Sequence, residues 1–211
     1  MKILITGGNG FVGRNIVKFL GPDYDIYTPT SSQLDLTNPK EVEKYFQNKF
    51  FDVVIHCAIE GGRRNVQDTA FTLQNNLKMF FNLMNNRDRF DRFINFSSGA
   101  DFDKKKHINI NNHNLEKSYP IQPYDMSKNI ISRVLKNSPR CYNFRVYGVF
   151  GIDEAEDRFI TSNLKRYKEH NPIEIHQNRY WDFFYIKDLV NIIKYYIDNP
   201  KYDLDNEMDL V

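Results

Sequence analysis

Short apolar runs alternate with amphipathic stretches through most of the chain. The apolar runs predict buried strands, and the stretches with a 3.6-residue period predict helices between them. The predicted strands cover about residues 2–6, 24–27, 51–57, 92–96 and 140–146, and the predicted helices about 11–20, 39–48, 65–86 and 124–136. Strands that alternate with helices form a parallel sheet with right-handed crossovers. The predicted fold class is therefore α/β, a doubly wound parallel sheet of the Rossmann type.

The order of elements changes after about residue 151. A helix at 158–169, short strands at 173–175 and 182–186, and a helix at 187–197 complete the prediction. We therefore divide the chain into a first domain, 1–150, and a small second portion, 151–211, that is interleaved with the first.

A glycine-rich turn, TGGNGFVG at 6–13, joins the first strand to the first helix. Its G-x-x-G-x-x-G spacing allows a tight turn, a close approach of the backbone to a diphosphate, and close packing of the helix on the strand. The N–H groups and the positive dipole end of the helix then face the phosphates. The turn predicts that domain 1–150 binds a dinucleotide, and the alternative is a turn that is glycine-rich for structural reasons alone. The predicted contacts here are Gly7, Gly10, Phe11, Val12, Gly13 and Arg14.

The type of dinucleotide is predicted from the end of the second strand. NAD-binding proteins carry an acidic residue there that binds the ribose 2′-hydroxyl. This chain has Thr-Pro-Thr-Ser-Ser at 28–32, and Asp25 lies at the wrong end of the strand. Ser31, Ser32 or Arg14 could instead accept a 2′-phosphate, which favours NADP, with NAD as the alternative.

The other predicted cofactor contacts follow the second and third strands. Asp35, beside Leu36, either reaches the adenine amino group or caps a turn. Cys57 and Ala58 end the third strand and complete the predicted cofactor site.

Three side chains of the first domain form a candidate acid–base site. Ser98 follows a strand, whereas Tyr124 and Lys128 lie four residues apart at the beginning of a helix and share one face. The serine hydroxyl would hold the reacting oxygen, and the tyrosine would transfer a proton, with its pKa lowered by the lysine ammonium and an oxidised nicotinamide. The structural alternatives are a serine that caps a turn and a Tyr–Lys pair on a helix surface. Their order after a dinucleotide turn favours the catalytic interpretation.

The motifs resemble those of the extended short-chain dehydrogenase/reductase superfamily, in its branch of NAD(P)-dependent nucleotide-sugar epimerases, dehydratases and reductases. The matching segments are TGGNGFVG at 6–13, LDLTN at 34–38, DVVIHCA at 52–58, INFSSGA at 94–100, YDMSK at 124–128, FRVYGVFG at 144–151 and DFFYIKDLV at 182–190. The resemblance implies that Ser98 is the catalytic hydroxyl and contacts the substrate, and that Tyr124 is the general acid or base. It also implies that Lys128 binds the cofactor ribose, so Tyr124 and Lys128 belong to the cofactor site as well. Asn76 is similar to a family asparagine, and the alternative is an asparagine on a helix surface.

The resemblance also limits the range of reactions that we expect. Dehydratases of the family carry Thr-Asp-Glu where this chain has Ser98-Gly99-Ala100, which argues against dehydration. Enzymes similar to GDP-fucose synthase carry a cysteine at the place of Ala100, which argues against epimerisation beside the ketone. We therefore expect an oxidoreductase that reduces a 4-keto-6-deoxy sugar nucleotide. The alternatives are a nucleotide-sugar 4-epimerase with retained NAD and, in another class, a non-catalytic dinucleotide-binding protein.

Two departures from the family concern the substrate. Many relatives carry an arginine for the substrate phosphates where this chain has Trp181, and Arg179 lies two residues earlier. We expect either that Arg179 takes over this contact or that Trp181 is a core residue. The substrate-binding portion 151–211 is also shorter than in relatives, so it is either minimal or truncated.

The resemblance further implies a homodimer. Relatives form a four-helix bundle from the helices that correspond to 65–86 and 124–136. The first of these helices has apolar residues on more than one side, which fits burial at the sheet and at a partner, and the alternative is a single wide core face. These residues are Phe71, Leu73, Leu77, Phe80, Phe81 and Met84.

Composition and charge change this picture little. The chain has 29 Lys and Arg against 27 Asp and Glu, so its charge does not indicate nucleic acid or a membrane as partner. No secretory signal or membrane span is expected, and Cys57 and Cys141 are interpreted as reduced residues of a cytoplasmic protein. The histidines show no metal spacing, so we expect no metal, and His56 is interpreted as a core residue.

Overall fold

A computed structural model describes residues 1–63, 66–102, 114–178, 181–200 and 204–211. The strands are β1 (Lys2–Thr6), β2 (Asp25–Tyr27), β3 (Phe51–His56), β4 (Phe90–Ser98), β5 (Cys141–Val146), β6 (Val149–Phe150), β7 (Phe184–Tyr185) and β8 (Glu207–Leu210). The α-helices are α1 (Phe11–Leu20), α2 (Pro39–Phe46), α3 (Ala70–Met84), α4 (Pro123–Lys136), α5 (Phe159–Lys168) and α6 (Ile186–Asp198).

Six parallel strands form the main sheet in the order β2-β1-β3-β4-β5-β8. This arrangement confirms the predicted doubly wound α/β fold. The strand order reverses between β1 and β3, because the chain leaves β1 toward β2 on one side and later adds β3 on the other. In open parallel sheets, ligands bind outside the carboxyl ends of the strands at such a switch point. A second, two-stranded sheet pairs β6 with β7.

The two faces of the main sheet are covered by different helices. Ile3 and Ile5 of β1 face the core layer that contains α1 and α6, whereas Leu4 faces the layer that contains α2, α3 and α4. All three side chains are fully buried. Burial of one such side chain contributes about 1.5–3 kcal/mol, so the alternation along a central strand determines which helices cover each face.

Helix α2 begins where the sequence predicts. The Asn38 side chain accepts hydrogen bonds from the backbone N–H groups of Lys40 and Glu41, and Pro39 occupies the first helical position.

Helix α3 is shorter than the predicted helix 65–86. It begins at Ala70, because Thr69 takes an extended conformation as N-cap and its N–H donates to Thr72 Oγ1 at 3.1 Å. Asp68, just before this cap, accepts hydrogen bonds from the N–H of Gly62 instead of continuing the helix. The helix ends at Met84, two residues before the predicted end.

The predicted strand at 173–175 is wrong. Ile173 and Ile175 are 62% and 63% exposed, so their apolar side chains do not indicate a buried strand. The segment is instead held by Asn163 of α5, whose side chain exchanges two hydrogen bonds with the backbone of Glu174, at 2.8 and 3.1 Å.

Strand β8 was not predicted, although it completes the main sheet. Its polar side chains bind a buried residue of β5: Arg145 forms ion pairs with Glu207 at 3.0 Å and with Asp209 at 2.8 Å. Helix α6 likewise packs on α1. Parts of 151–211 therefore lie in the layers of the main sheet, and the division at residue 150 stays a prediction.

In the parts of the chain that the structure describes, no helix combines the length and the apolar character needed to cross a membrane. The same residues contain no group of three or more potential metal ligands.

Candidate active site

The glycine turn lies between β1 and α1, at the switch point of the sheet. Gly7 has a φ of +68°, and a Cβ atom there would lie 2.5 Å from the backbone nitrogen of Ala58. A Cβ atom on Gly13 would lie 2.3 Å from the carbonyl oxygen of Gly7. Both positions therefore require glycine for the turn itself. The turn also brings together two predicted cofactor segments, 7–14 and 57–58.

Gly10 differs from the other two glycines. Its added Cβ atom would meet only the carbonyl oxygen of Gly7, at 3.3 Å, so the protein restricts this position less than it restricts Gly7 and Gly13. Gly10 is the N-cap of α1, whose first turn begins with Phe11 and Val12. The N–H groups at the beginning of this helix are where a diphosphate would bind.

One glycine of the turn was missed by the sequence analysis. A Cβ atom on Gly8 would lie 1.9 Å from Oγ1 of Thr28, so Gly8 lets the end of β2 pack against the turn. The Gly7-Gly8 pair was visible in the sequence, but the G-x-x-G-x-x-G pattern gives the second glycine no role.

The segment after β2 has the polar character predicted for the 2′-phosphate region. Ser31 and Ser32 are exposed, and Thr30 Oγ1 lies 2.9 Å from Ser32 Oγ within this turn. Asp25 opens β2 and accepts a hydrogen bond from Tyr27 at 3.1 Å, which places it away from the carboxyl end of the strand.

Three further predicted cofactor contacts have protein partners. Asp35 Oδ1 accepts hydrogen bonds from N and Oγ1 of Thr37, which is the geometry of the turn-capping alternative. The guanidinium of Arg14 donates to the carbonyl oxygen of Asp153 at 3.1 Å, so this side chain extends toward the segment that follows β6. Leu36 is buried, and its carbonyl oxygen accepts from Asn82 at 2.8 Å.

The candidate catalytic residues come from β4 and α4. Ser98 ends β4, and its Oγ accepts a hydrogen bond from the N–H of Ala100 at 3.2 Å, so its hydrogen can be donated elsewhere. Lys128 Nζ lies 5.7 Å from the ring centroid of Tyr124 and donates to the carbonyl oxygen of Phe96 at 2.6 Å. This bond attaches the Tyr–Lys face of α4 to β4, two residues before Ser98.

The charge of Lys128 reaches the carboxyl end of β3. It opposes the rise in the pKa of Cys57 caused by burial, and it adds to the effect of burial in lowering the pKa of His56 to about 3. His56 is buried and its Nδ1 lies 2.8 Å from Thr6 Oγ1, which agrees with its interpretation as a satisfied core residue. The lysine therefore lies near the predicted cofactor contact Cys57.

The pKa of Tyr124 is raised, mainly by burial and further by the carboxylates of Asp101, Asp125 and Asp68. These effects raise the pKa of Tyr124 in the protein alone, with the charge of Arg158 opposing them. The expected lowering beside an oxidised nicotinamide stays a prediction. The phenol is held in its protonated form, which is the form that donates a proton.

The loop after β3 contacts the tyrosine, a feature that the sequence analysis missed. Gly62 has a φ of +68°, and a Cβ atom there would lie 2.7 Å from Cζ of Tyr124. Asn76 of α3 holds this loop, since its side chain exchanges hydrogen bonds of 2.8 and 3.0 Å with the backbone of Glu60. Asn76 also donates to Ser127 Oγ at 3.1 Å. At 1% exposure it is a buried bridge between loop and α4, and the surface alternative is wrong.

The predicted substrate contact Arg179 lies outside the described residues. Trp181 is 56% exposed, which excludes the interpretation of this residue as part of the core. Its indole lies beside Gly148, where a Cβ atom would be 2.6 Å from Trp181 Nε1.

The sheet order and the glycine turn at its switch point define a Rossmann-type protein, and Ser98, Tyr124 and Lys128 give it a candidate acid–base site. The model of the NAD dependent epimerase/dehydratase family matches residues 3–208. The chain belongs to this family, which confirms the family predicted from the motifs.

Individual relatives agree with this assignment. The chain is 38% identical over 104 residues to a GDP-L-fucose synthase of Azorhizobium caulinodans, a match that covers 47% of this chain and 33% of that protein. The match thus spans about a third of the relative's length.

Solved structures share the fold. A dTDP-4-dehydrorhamnose reductase of Clostridium acetobutylicum superposes with a TM-score of 0.81 at 24% identity, over 100% of this chain and 74% of that one. A GDP-mannoheptose C4 reductase of Campylobacter jejuni, solved with NADP bound, superposes with a TM-score of 0.80 at 17% identity, over 99% and 77% of the two chains.

Proposed function

We propose that the protein is an NADP-dependent oxidoreductase that reduces a 4-keto-6-deoxy sugar linked to a nucleotide. The observation that carries the proposal is the hydrogen bond of 2.6 Å from Lys128 Nζ to the carbonyl oxygen of Phe96. This bond holds the helix face that carries Tyr124 against the strand end that carries Ser98. A proton donor and a hydrogen-bond donor for the ketone oxygen therefore lie on neighbouring elements. The relative and the neighbours described above act on nucleotide-linked sugars according to their names, which supports the substrate class.

The residues of the switch point fit a dinucleotide. The absence of a side chain at Gly10 and the N-terminal turn of α1 suit the diphosphate, and Lys128 suits the ribose near the reacting end. The exposed Ser31 and Ser32, with no acidic residue at 28–32, suit a 2′-phosphate and therefore NADP rather than NAD. When bound, the reduced cofactor supplies the hydride.

The protein's own groups handle the oxygen of the ketone. Ser98 donates a hydrogen bond to this oxygen, and the protonated phenol of Tyr124 transfers its proton to it. The raised pKa of Tyr124 keeps this proton available through the neutral range. Lys128 then stabilises the tyrosinate by its positive charge until the proton is replaced. In this proposal Arg179 and the portion 151–211 bind the nucleotide of the substrate.

We further propose a homodimer in the cytoplasm. Phe71 is 71% exposed and Phe81 is 40% exposed on α3, which packs against α4 in the same layer. An unpartnered aromatic surface of this kind suits a helical interface with a second copy of the chain. The free Cys57 and Cys141 agree with a reducing compartment.

The experiment that tests the proposal mixes purified protein with NADPH and a panel of dTDP- and GDP-linked 4-keto-6-deoxy sugars, and follows the loss of reduced nicotinamide. Tyr124→Phe removes the proton donor at nearly constant volume, and Tyr119→Phe is the matched control, since Tyr119 is 70% exposed. Turnover in the native protein and in Tyr119→Phe, with at least about a hundredfold lower kcat in Tyr124→Phe, would support the reductase.

Other outcomes separate the alternatives. A substrate converted to its 4-epimer with no net loss of NADPH, by protein that copurifies with NAD, would replace the reductase with an epimerase. NADPH binding without conversion of any sugar would leave a cofactor-binding protein.

A further inference from the structure

Asp101 is a buried carboxylate beside the candidate site that the proposed reaction does not use. It ends the short turn Gly99–Asp101 after β4, and its side chain is completely buried. Oδ1 accepts a hydrogen bond from Ser97 Oγ at 2.5 Å, and Oδ2 accepts one from Ser132 Oγ at 2.7 Å. A buried carboxylate costs several kcal/mol of desolvation unless its oxygens are satisfied, so both hydrogen bonds are needed.

The two serines connect Asp101 to both parts of the candidate site. Ser97 immediately precedes Ser98 at the end of β4. Ser132 lies one turn after Lys128 on α4, so it shares the helix face of the Tyr–Lys pair. The two hydroxyl groups are also 3.0 Å apart, which makes one closed cluster between strand and helix.

Further polar groups hold this cluster. Asn143 of β5 donates to Ser132 Oγ at 2.8 Å and accepts from Asn95 of β4 at 2.7 Å. Asn129 of α4 donates to the backbone carbonyl oxygen of Asp101 at 2.8 Å. All of these side chains are buried, so the network has a single arrangement that depends on the carboxylate at its centre.

We propose that Asp101 is a positioning residue of the active site, which holds the strand end that carries Ser98 against the helix face that carries the Tyr–Lys pair. This inference rests on the proposed function, because it assigns Asp101 to the same reaction.

The negative charge of Asp101 in this position also acts on Lys128. Burial lowers the pKa of Lys128, and the negative charge of Asp101 counteracts this lowering, with a smaller contribution from Cys57. His56 also faces Lys128 and stays neutral because its own pKa is low. Burial raises the pKa of Asp101 to about 6, and the hydrogen bonds from Ser97 and Ser132 and the charge of Arg145 oppose this rise. Without the carboxylate, Lys128 would lose its proton at a lower pH and could no longer stabilise a tyrosinate.

The effect of the Asp101 charge on Lys128 is tested first, on the protein without ligands. Asp101→Asn keeps the volume and removes the charge, and Asp88→Asn is the control, because the Asp88 side chain is 73% exposed. The pH at which each lysine becomes reactive is measured by competitive labelling with acetic anhydride and mass spectrometry of the peptides. We expect the midpoint for Lys128 to fall by about one pH unit in Asp101→Asn and to stay unchanged in Asp88→Asn. An unchanged Lys128 midpoint in folded Asp101→Asn would overturn the charge role.

The positioning role is tested with Ser132→Ala, which removes a connection and keeps the carboxylate. We expect kcat to fall about tenfold with nearly unchanged KM for substrate and NADPH, and the labelling midpoint of Lys128 to stay unchanged. A variant that only loses thermal stability, with native kcat, would overturn the positioning role. If Asp101→Asn does not fold, Ser97→Ala and Ser132→Ala together decide the matter by the same kcat criterion.

The two proposals fail in different ways. If the native protein turns over no sugar, the proposed function fails, and the labelling midpoint of Lys128 still decides whether Asp101 controls its charge. If the native protein turns over but the Asp101 and Ser132 variants keep its kcat and midpoint, only the positioning inference fails.

Discussion

Lys128 Nζ and the carbonyl oxygen of Phe96 form a buried hydrogen bond of 2.6 Å between α4 and β4. Lys128→Met removes this bond and the positive charge while keeping an unbranched side chain. We expect kcat for sugar reduction to fall by about a hundredfold or more, because the tyrosinate loses its cation and the helix face loses its attachment.

The control for this variant is Lys136→Met on the same helix. Lys136 pairs with exposed Glu116 at 2.8 Å and should leave kcat unchanged. Equal kcat values in the two variants would show that the bond to Phe96 plays no part in the reaction.

Gly10 and Gly13 make a matched pair in the glycine turn. Gly13→Ala would place a Cβ atom 2.3 Å from the carbonyl oxygen of Gly7, so the turn must shift, and we expect a loss of about 1–3 kcal/mol in the free energy of unfolding. Gly10→Ala meets only one atom, at 3.3 Å, and should fold with almost native stability but bind NADPH much more weakly. Urea unfolding and NADPH fluorescence titration measure the two effects. Native NADPH affinity in Gly10→Ala would argue against a diphosphate at this turn.

Ser31 tests the preference for NADP. Ser31→Asp places a negative charge in the exposed turn after β2, where a 2′-phosphate is proposed to bind. We expect the affinity for NADPH to fall about tenfold or more, through the repulsion of like charges, while NADH binding is unchanged or stronger. Ser31→Asn is the neutral control of similar size. If Asp and Asn at this position have the same effect on both cofactors, the 2′-phosphate binds elsewhere.

His56 predicts a loss of stability toward acidic pH. Burial and the charge of Lys128 lower its pKa from 6.5 to about 3, so the folded protein favours the neutral ring. The resulting stability is complete above pH 6.5 and is lost as the pH falls toward the folded pKa. Between pH 7 and pH 5 we expect the native protein to lose about 2 kcal/mol relative to His56→Gln, in which the other titrating groups are retained. If the free energies of unfolding of the native protein and of His56→Gln changed equally between pH 7 and pH 5, the lowered pKa of His56 would be contradicted.

The proposed dimer interface is tested at α3. Phe71→Asp combined with Phe81→Asp adds charges to two exposed aromatic positions, 71% and 40% exposed, and should convert a dimer into monomers in sedimentation velocity. Phe50→Asp, at a 53% exposed position before β3, is the control and should leave the oligomeric state unchanged. A monomeric native protein, or a dimer that survives both α3 substitutions, would exclude this interface.

The sequence predicts the elements that are buried through continuous apolar runs or defined by a fixed residue spacing. Strands such as β3, buried on both faces, form continuous apolar runs, and the glycine turn has a spacing that follows from its geometry. The apolar pattern does not predict a segment that joins the fold through polar side chains, and it also predicts strands that do not form. β8 is Glu-Met-Asp-Leu and joins the sheet through Arg145, and Ile173 and Ile175 form an apolar alternation that stays exposed.

The candidate site shows the same division. Ser98, Tyr124 and Lys128 follow from residue type and order, because the chemistry requires them at that spacing. Asp101 does not, since a single Asp in a polar stretch is typical of a loop. Asn76 was indicated only by its resemblance to a family asparagine. Their importance depends on partners distant in sequence, as with Asp101 and Ser132 at 2.7 Å. The raised pKa of Tyr124 was not anticipated for the same reason, because burial and the charges of Asp101 and Asp68 act on it only in the folded protein.

In the proposed reaction a hydride passes from NADPH to C4 of a nucleotide-linked sugar. To follow this hydride, NADPH that carries deuterium at both positions of the nicotinamide C4 is mixed with a dTDP- or GDP-linked 4-keto-6-deoxy sugar, and deuterium in the product is determined by NMR and mass spectrometry. We predict one deuterium at the sugar C4 for each NADPH oxidised, and labelled product that forms at least about a hundredfold more slowly with Tyr124→Phe. A product that contains no deuterium at C4, or a sugar that is epimerised while the cofactor stays reduced, would exclude the proposed reduction.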